Sequence, residues 1–271
     1  MKNLIYQVWA GELRPGCNYS SRLMKEYADR VGADYRLDID PNIASQTVDA
    51  NGMYWEWLNP MLDDSFLEYD KVLVVDLDVF PVDNLSENIF DEEIDMFGVC
   101  TEPFQGKYRA STTIGGSINR DNDEKWARIC FDLYGRQLPR DADGYLKVYN
   151  AGMVVFTREG MELMREKWIP FQHYTNAMRP RNLGRFYTVD QNYFHAMIVA
   201  GGRYTEMHNG WNNYIHYTRG PLGLADPIHD SRTKETKFVH IQLSGADYFD
   251  EEKLYNITNK SRAFWKLEDA A

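Results

Sequence analysis

The stretch Tyr69–Leu85, YDKVLVVDLDVFPVDNL, decides the fold. Val72–Val75 is a short unbroken apolar run rich in β-branched side chains, with charge before it and Pro81 after it. A strand of that composition is buried on both faces, as happens inside a parallel sheet. Asp76 and Asp78 follow at its C-terminal end with only Leu77 between them. Open α/β sheets bind ligands beyond the carboxyl ends of their strands, so this Asp-x-Asp stands where a site would be. Two carboxylates so close repel each other unless a cation joins them, and oxygen ligands of this kind suit Mg²⁺ or Mn²⁺. A bare Asp-x-Asp is equally compatible with two solvated loop acids, so the rest of the chain must carry the functional argument.

Upstream, Leu4–Trp9 (LIYQVW) reads as a first buried strand ended by Ala10-Gly11. Its C-terminal edge, Gln7 to Gly11, is a natural resting place for a base or ribose. Ser20 or Ser21 is expected to cap a helix whose apolar residues Leu23, Met24, Tyr27, Ala28 and Val31 share one face, with Gly32 ending it. Ala33–Ile39 alternates as a second strand. This β-α-β opening predicts an α/β fold with a Rossmann-like, mostly parallel central sheet flanked by helices. Met53–Leu67 has helical spacing that Pro60 must bend or interrupt.

Downstream, Asp95–Cys100 reads as a strand with Glu102 at its end, Phe104–Asn122 as a long polar loop, and Asp123–Tyr134 as a helix. Asn150-Ala151-Gly152 leads into an apolar strand, Tyr149–Phe156, followed by a helix over Glu159–Trp168. Asp190 and Gln191 stand in the first turn of a helix over Val189–Val199, where a carboxylate and an amide satisfy free backbone N–H groups. Lys237–Gly245 is a last strand with His240 as its fourth residue, a type that serves as a structural hydrogen-bonding group or as a ligand.

Composition narrows the function classes. The chain carries a net charge of −11 with its basic residues scattered, which argues against a dedicated nucleic-acid or anionic-membrane surface. It leaves room for a local basic pocket. Cys17, Cys100 and Cys130 are far apart and form no C-x-x-C, so neither a disulfide framework nor a zinc knuckle is expected and a reduced compartment fits. No signal peptide or membrane-spanning run is evident, and the expected location is cytoplasmic. The 18 Tyr, 13 Phe and 7 Trp supply core and also suit a cleft that stacks a base or sugar face.

In chain order, Asp76-x-Asp78, Asn150-Ala151-Gly152, Asp190-Gln191, Trp211-Asn212 and the late His240 with Gly245 resemble the series found in GT-A glycosyltransferases, particularly the retaining glycogenin/galactosyltransferase-like group of family 8. That resemblance implies a single GT-A domain over residues 1–265, with a nucleotide-binding part about 1–100 and an acceptor-side part about 101–265. It implies a nucleoside-diphosphate sugar donor, a UDP-sugar above all, and Mn²⁺ or Mg²⁺. Asp76, beside Leu77, would face ribose and metal, with Asp78 and His240 completing the protein's metal ligands. Asn150, Ala151 and Gly152 would line the donor, and Asp190 and Gln191 the reacting face. Gln7, Val8, Trp9 and Ala10 would hold the base, and transfer would go to an acceptor hydroxyl on a glycan, lipid or protein. The chain departs from the group's pattern in two places. Gly245 comes five residues after His240 rather than three, and Asp247 stands near where a lysine holds the diphosphate, so Lys237, Lys253 or Arg232 must serve instead. Before the Asp-x-Asp, where the group often has Arg or Lys, stands Glu56. His208, His216 and His229 are rival third ligands.

Two other enzyme classes compete. Val72–Phe80 also fits the first motif of haloacid-dehalogenase-type phosphatases, with Asp76 as nucleophile and Asp78 as acid/base. No later apolar strand ending in paired acids completes that metal site. A sugar nucleotidyltransferase needs a glycine-rich basic loop after the first strand, and Gly11–Gly16 carries a single arginine. A non-catalytic nucleotide-sugar-binding protein could keep the aromatics and lose the metal ligands, which are present here.

Overall fold

The structure is a computed structural model that describes residues 1–44, 53–102, 104–114, 116–220, 223–242 and 249–259. Its centre is the strand foreseen before the Asp-x-Asp, β3 (Lys71–Val75), in which Val72, Leu73, Val74 and Val75 are essentially inaccessible. Around it stand β1 (Asn3–Trp9), β2 (Asp34–Ile39), β5 (Phe97–Thr101), β6 (Tyr149–Thr157) and β7 (Tyr204–Glu206), in the order β2-β1-β3-β6-β5-β7. β1 pairs parallel with β2 and β3, and β5 with β7, whereas β6 runs antiparallel to both β3 and β5. The sheet is therefore mostly parallel with one reversed strand. Reversal has a direct consequence: β6 begins where its neighbours end, so Asn150-Ala151-Gly152 arrives at their carboxyl ends.

A second sheet has the order β4-β10-β8-β9, formed by β4 (Val79–Pro81), β8 (Asn213–Gly220), β9 (Gly223–Asp230) and β10 (Phe238–Gln242). β10 lies antiparallel to β4 and parallel to β8, with His240 opposite Val79. Because β4 starts directly after Asp78, the chain passes from one sheet to the other through the Asp-x-Asp. The Ile241 N–H locks the crossing by donating to the Asp78 carbonyl at 2.9 Å.

Side-chain alternation sorts the central strands onto two cores. Leu4, Tyr6, Val72 and Val74 join Trp55, Trp57, Phe194 and Met197 on one face. Ile5, Leu73 and Val75 join Met24, Tyr27, Val239 and Ile241 on the other. Among the described residues lie the helices α1 (Pro15–Val31), α2 (Asn59–Leu62), α3 (Gln105–Ser111), α4 (Arg120–Tyr134), α5 (Arg158–Lys167), α6 (Phe171–Met178), α7 (Asp190–Gly201) and α8 (Glu251–Thr258). Among the described residues no helix is long and apolar enough to cross a membrane.

Two local expectations change and one is met. The first helix starts at Pro15, not at Ser20 or Ser21, because proline has no N–H to satisfy in a first turn. Ser20 is instead buried within it, its hydroxyl donating to the Val79 carbonyl at 2.7 Å. Gly32 does end the helix, in the left-handed conformation at φ 69°. Met53–Leu67 is interrupted around Pro60 as expected, into a 3₁₀ turn at Met53–Leu58, the short α2 with Pro60 in its first turn, and a second 3₁₀ turn at Asp64–Glu68. The polar stretch Phe104–Asn122 contains α3 and the start of α4, which Asn119 caps by accepting from the Asn122 N–H at 3.0 Å.

Leu73 is fully enclosed between β1, β6 and the second core. Leu73→Ala should cost about 2–5 kcal/mol of stability, read as a lower urea midpoint at unchanged slope; an unmoved midpoint would contradict the packing described.

Candidate functional site

The carboxyl end of β3 brings three ligand-type groups together. Asp76, Asp78 and His240 each offer one atom, and these atoms lie within 4.8 Å of one another. His240 Nε2 stands 3.1 Å from Asp78 Oδ1. That oxygen is buried and makes no hydrogen bond beyond this contact with the imidazole. Two carboxylates gathered in a partly buried place are costly unless positive charge sits beside them, and the set of two carboxylates and an imidazole fits a divalent metal with mixed oxygen and nitrogen ligands. Asp76 is held from two sides: its Oδ1 accepts from the Trp57 indole N–H at 2.9 Å, and its carbonyl accepts from Gln7 Nε2 at 3.1 Å.

Crowding sets the electrostatics. Burial, reinforced by the Asp78 charge, pushes the Asp76 carboxyl up to about 7. Burial, and then the charge of Asp76, pushes Asp190 up to about 7 as well. At His240 burial acts to lower the imidazole, but the neighbouring Asp78 and Asp76 prevail and raise it.

Behind these groups runs a buried polar chain. His240 Nδ1 lies 3.2 Å from Asn212 Oδ1. Asn212 Nδ2 donates to Asn150 Oδ1 at 3.0 Å, and Asn150 Nδ2 donates to Glu102 Oε1 at 2.6 Å. The Gly152 N–H also donates to Asn150 Oδ1, at 2.7 Å. Gly152 is required sterically, since a Cβ there would come within 2.3 Å of His240 Cε1. Thus four of the five sequence motifs meet through direct contacts, and Asp190, from the fifth, interacts with Asp76 through charge.

The remaining expected site residues are placed as follows. Gln7 is fully buried, its Nε2 also near Ser20 Oγ at 3.3 Å and its Oε1 accepting from the Tyr35 hydroxyl at 2.9 Å. Val8, Leu77 and Ala151 are buried, Trp9 is half-buried and Ala10 is exposed. Asp190 opens α7 after the N-cap Val189, which makes no side-chain cap, and Gln191 lines a cavity of about 10 Å³ with Arg109, Asn192 and His195. His208 stands outside the cluster, half-exposed and 3.1 Å from Glu235. The side chains of His216 and His229, and all of Gly245 and Asp247, lie outside the described residues. Lys237 stands over the Trp211 ring at 4.3 Å, Lys253 over the Phe249 ring at 3.7 Å, and Arg232 pairs with Asp230 at 2.6 Å. Glu56, where the resemblance favoured a cation, accepts from the Ile43 and Ala44 N–H groups. Sequence reading assigned no role to Trp57 or Glu102. For Glu102 the signal was available, since it ends a central strand as Asp76 does.

No family model and no curated protein matches the chain. Among solved structures, the bifunctional glycosyltransferase WbbM in its apo form superposes with a TM-score of 0.53 and 13% identity over 88% of this chain. The chain shares its fold with part of that protein. It spans 45% of the WbbM chain, less than half of that protein. Two further glycosyltransferases align at lower scores. One, involved in glycosylating the major capsid of PBCV-1, has a TM-score of 0.45 and 10% identity, covering 89% of this chain and 94% of its own. The other is the galactosyltransferase LgtC in complex with donor and acceptor sugar analogs, with a TM-score of 0.40 and 15% identity, covering 77% of this chain and 75% of its own.

Because its folded-state pKa is raised, ionised Asp190 opposes folding above about pH 7, and this penalty fades as pH falls toward the unfolded value. Asp190→Asn, which keeps an acceptor oxygen, should therefore raise the melting temperature of the metal-free protein at about pH 8 and give no gain at about pH 4. Thermal unfolding at both pH values checks this, and an equal gain at both would refute it.

Proposed function

We propose that the protein transfers a sugar from a nucleoside-diphosphate sugar, in particular a UDP-sugar, to an acceptor hydroxyl, with Mn²⁺ or Mg²⁺ held by Asp76, Asp78 and His240. The observation that carries this reading is the meeting of one atom each from Asp76, Asp78 and His240 within 4.8 Å, at the carboxyl end of the central strand of a fold shared with a glycosyltransferase. A divalent ion there supplies Lewis-acid stabilisation of the charge that builds on a departing diphosphate.

The chain's own residues take the other roles. The β1 edge receives the base, with Val8, Trp9 and Ala10 at the rim and Gln7 fastening the Asp76 carbonyl beneath it. Leu77 stands beside the ribose. Asn150, Ala151 and Gly152, brought in by the reversed β6, line the donor sugar. The anomeric carbon becomes oxocarbenium-like as its bond to phosphate breaks. The Asp190 carboxylate or the Gln191 amide oxygen stabilises that positive character, and Asp190 ionises more readily once the neighbouring negative charge is neutralised. No separate strong base is required when the departing phosphate takes the acceptor's proton on the same face, so transfer proceeds with retention of anomeric configuration.

A thermal-shift series of nucleoside diphosphates with and without Mn²⁺ tests the reading, since a ligand specific to the native state must raise the melting temperature. One diphosphate should stabilise strictly in the presence of metal. Asp78→Ala should abolish that response while its own cooperative melting is retained, and His240→Ala should weaken it. Indifference to every diphosphate, with stabilisation by Mg²⁺ and a phosphate mimic instead, would favour phosphatase chemistry at Asp76 and Asp78.

A further inference from the structure

The buried chain from Glu102 to His240 has a single consistent direction. A backbone N–H can only donate, so the Asn150 atom 2.7 Å from the Gly152 nitrogen must be its oxygen. Asn150 Nδ2 then faces Glu102 Oε1, which accepts. Asn212 meets the Asn150 oxygen and must present its own Nδ2 to it, which leaves Asn212 Oδ1 toward His240 Nδ1. An acceptor there requires a proton on Nδ1. Reversing either amide would set donor against donor or acceptor against acceptor. All four residues, from Glu102 through Asn150 and Asn212 to His240, are at most 4% exposed, so bulk solvent does not reach them to relieve a mismatch.

We propose that the Gly152 N–H and Glu102 act as positioning groups that, through Asn150 and Asn212, hold His240 in its Nδ1–H tautomer and keep Nε2 open toward Asp78. The relay works against Asp78, whose oxygen 3.1 Å from Nε2 would by itself draw the imidazole proton to that nitrogen and block it. Asn150 Oδ1 uses both lone pairs, one for Gly152 and one for Asn212, so the amide cannot turn to accommodate the other tautomer. Partners of this kind orient imidazole ligands and typically change metal affinity by about 10–100-fold when removed. The inference rests on His240 being a cation ligand, as proposed above.

The test is ¹⁵N NMR of the His240 ring in the full metal-free chain, at alkaline pH where the imidazole is neutral. The parent protein should show a protonated, pyrrole-like Nδ1 and a pyridine-like Nε2. Asn212→Leu removes the acceptor at Nδ1 and should move the proton to Nε2, lowering Mn²⁺ affinity by roughly 10–100-fold in calorimetry. Glu102→Gln, which can still accept from Asn150, should leave the tautomer in place. A neutral His240 already protonated on Nε2 in the parent overturns the proposal even if Asn212→Leu fails to fold. An unchanged tautomer in a folded Asn212→Leu protein overturns it too. If the parent has the expected tautomer and binds no Mn²⁺, the metal reading fails and the relay stands.

Discussion

The rest of the structure depends on one unfavourable juxtaposition: Asp76 and Asp78, two residues apart, face each other and the buried His240 in a partly buried crossing between two sheets. Like charges in such a place cannot all be expressed at once, and the protein meets this by restraining each group separately. The Trp57 indole holds one Asp76 oxygen, the Gln7 amide holds its carbonyl, and the Ile241 N–H holds the Asp78 carbonyl. Each restraint comes from a different element, so the geometry of the acids is over-determined by the fold. Asp78 Oδ1 is left facing the His240 imidazole nitrogen at 3.1 Å. Stored repulsion of this kind is what a cation site requires, because the binding of positive charge then relieves a cost already present in the native state.

The same reasoning explains why β6 runs against its neighbours. A strand entering the sheet in the common direction would bring its last residue, not its first, to the site end. Reversal puts Asn150 and Gly152 there, and the Gly152 carbonyl accepts from the Asp76 N–H at 2.9 Å. Gly152 serves both purposes only because it lacks a side chain that would collide with His240.

The apolar run before Asp76 identified the central strand directly, since burial on both faces leaves a recognisable composition. Strand direction was not legible for β6: alternation records which faces are covered, and says nothing of which way the chain travels. Polar composition hid α3 inside the stretch Phe104–Asn122, where tertiary contacts decide helix formation over weak local preference. Gathering Asn150, Asn212 and His240 into one site was suggested by the resemblance to a known series, and no local pattern in those residues would have done so. Trp57 and Glu102 reach their partners across 19 and 48 residues of chain, and such pairings become visible only once the fold exists.

The passage of the chain from one sheet to the other at Asp78 has a consequence for biosynthesis. β4 follows Asp78 immediately, yet its pairing partner, β10, belongs to the last part of the described chain. While the protein is being made, β1, β2 and β3 can associate long before that partner has emerged from the ribosome. Until then β4 presents an unpaired apolar edge, the kind of surface on which newly made chains aggregate. Closure of the Asp76–Asp78–His240 cluster and protection of that edge are therefore the same late event, linked because one strand supplies both His240 and the hydrogen bonds that cover β4.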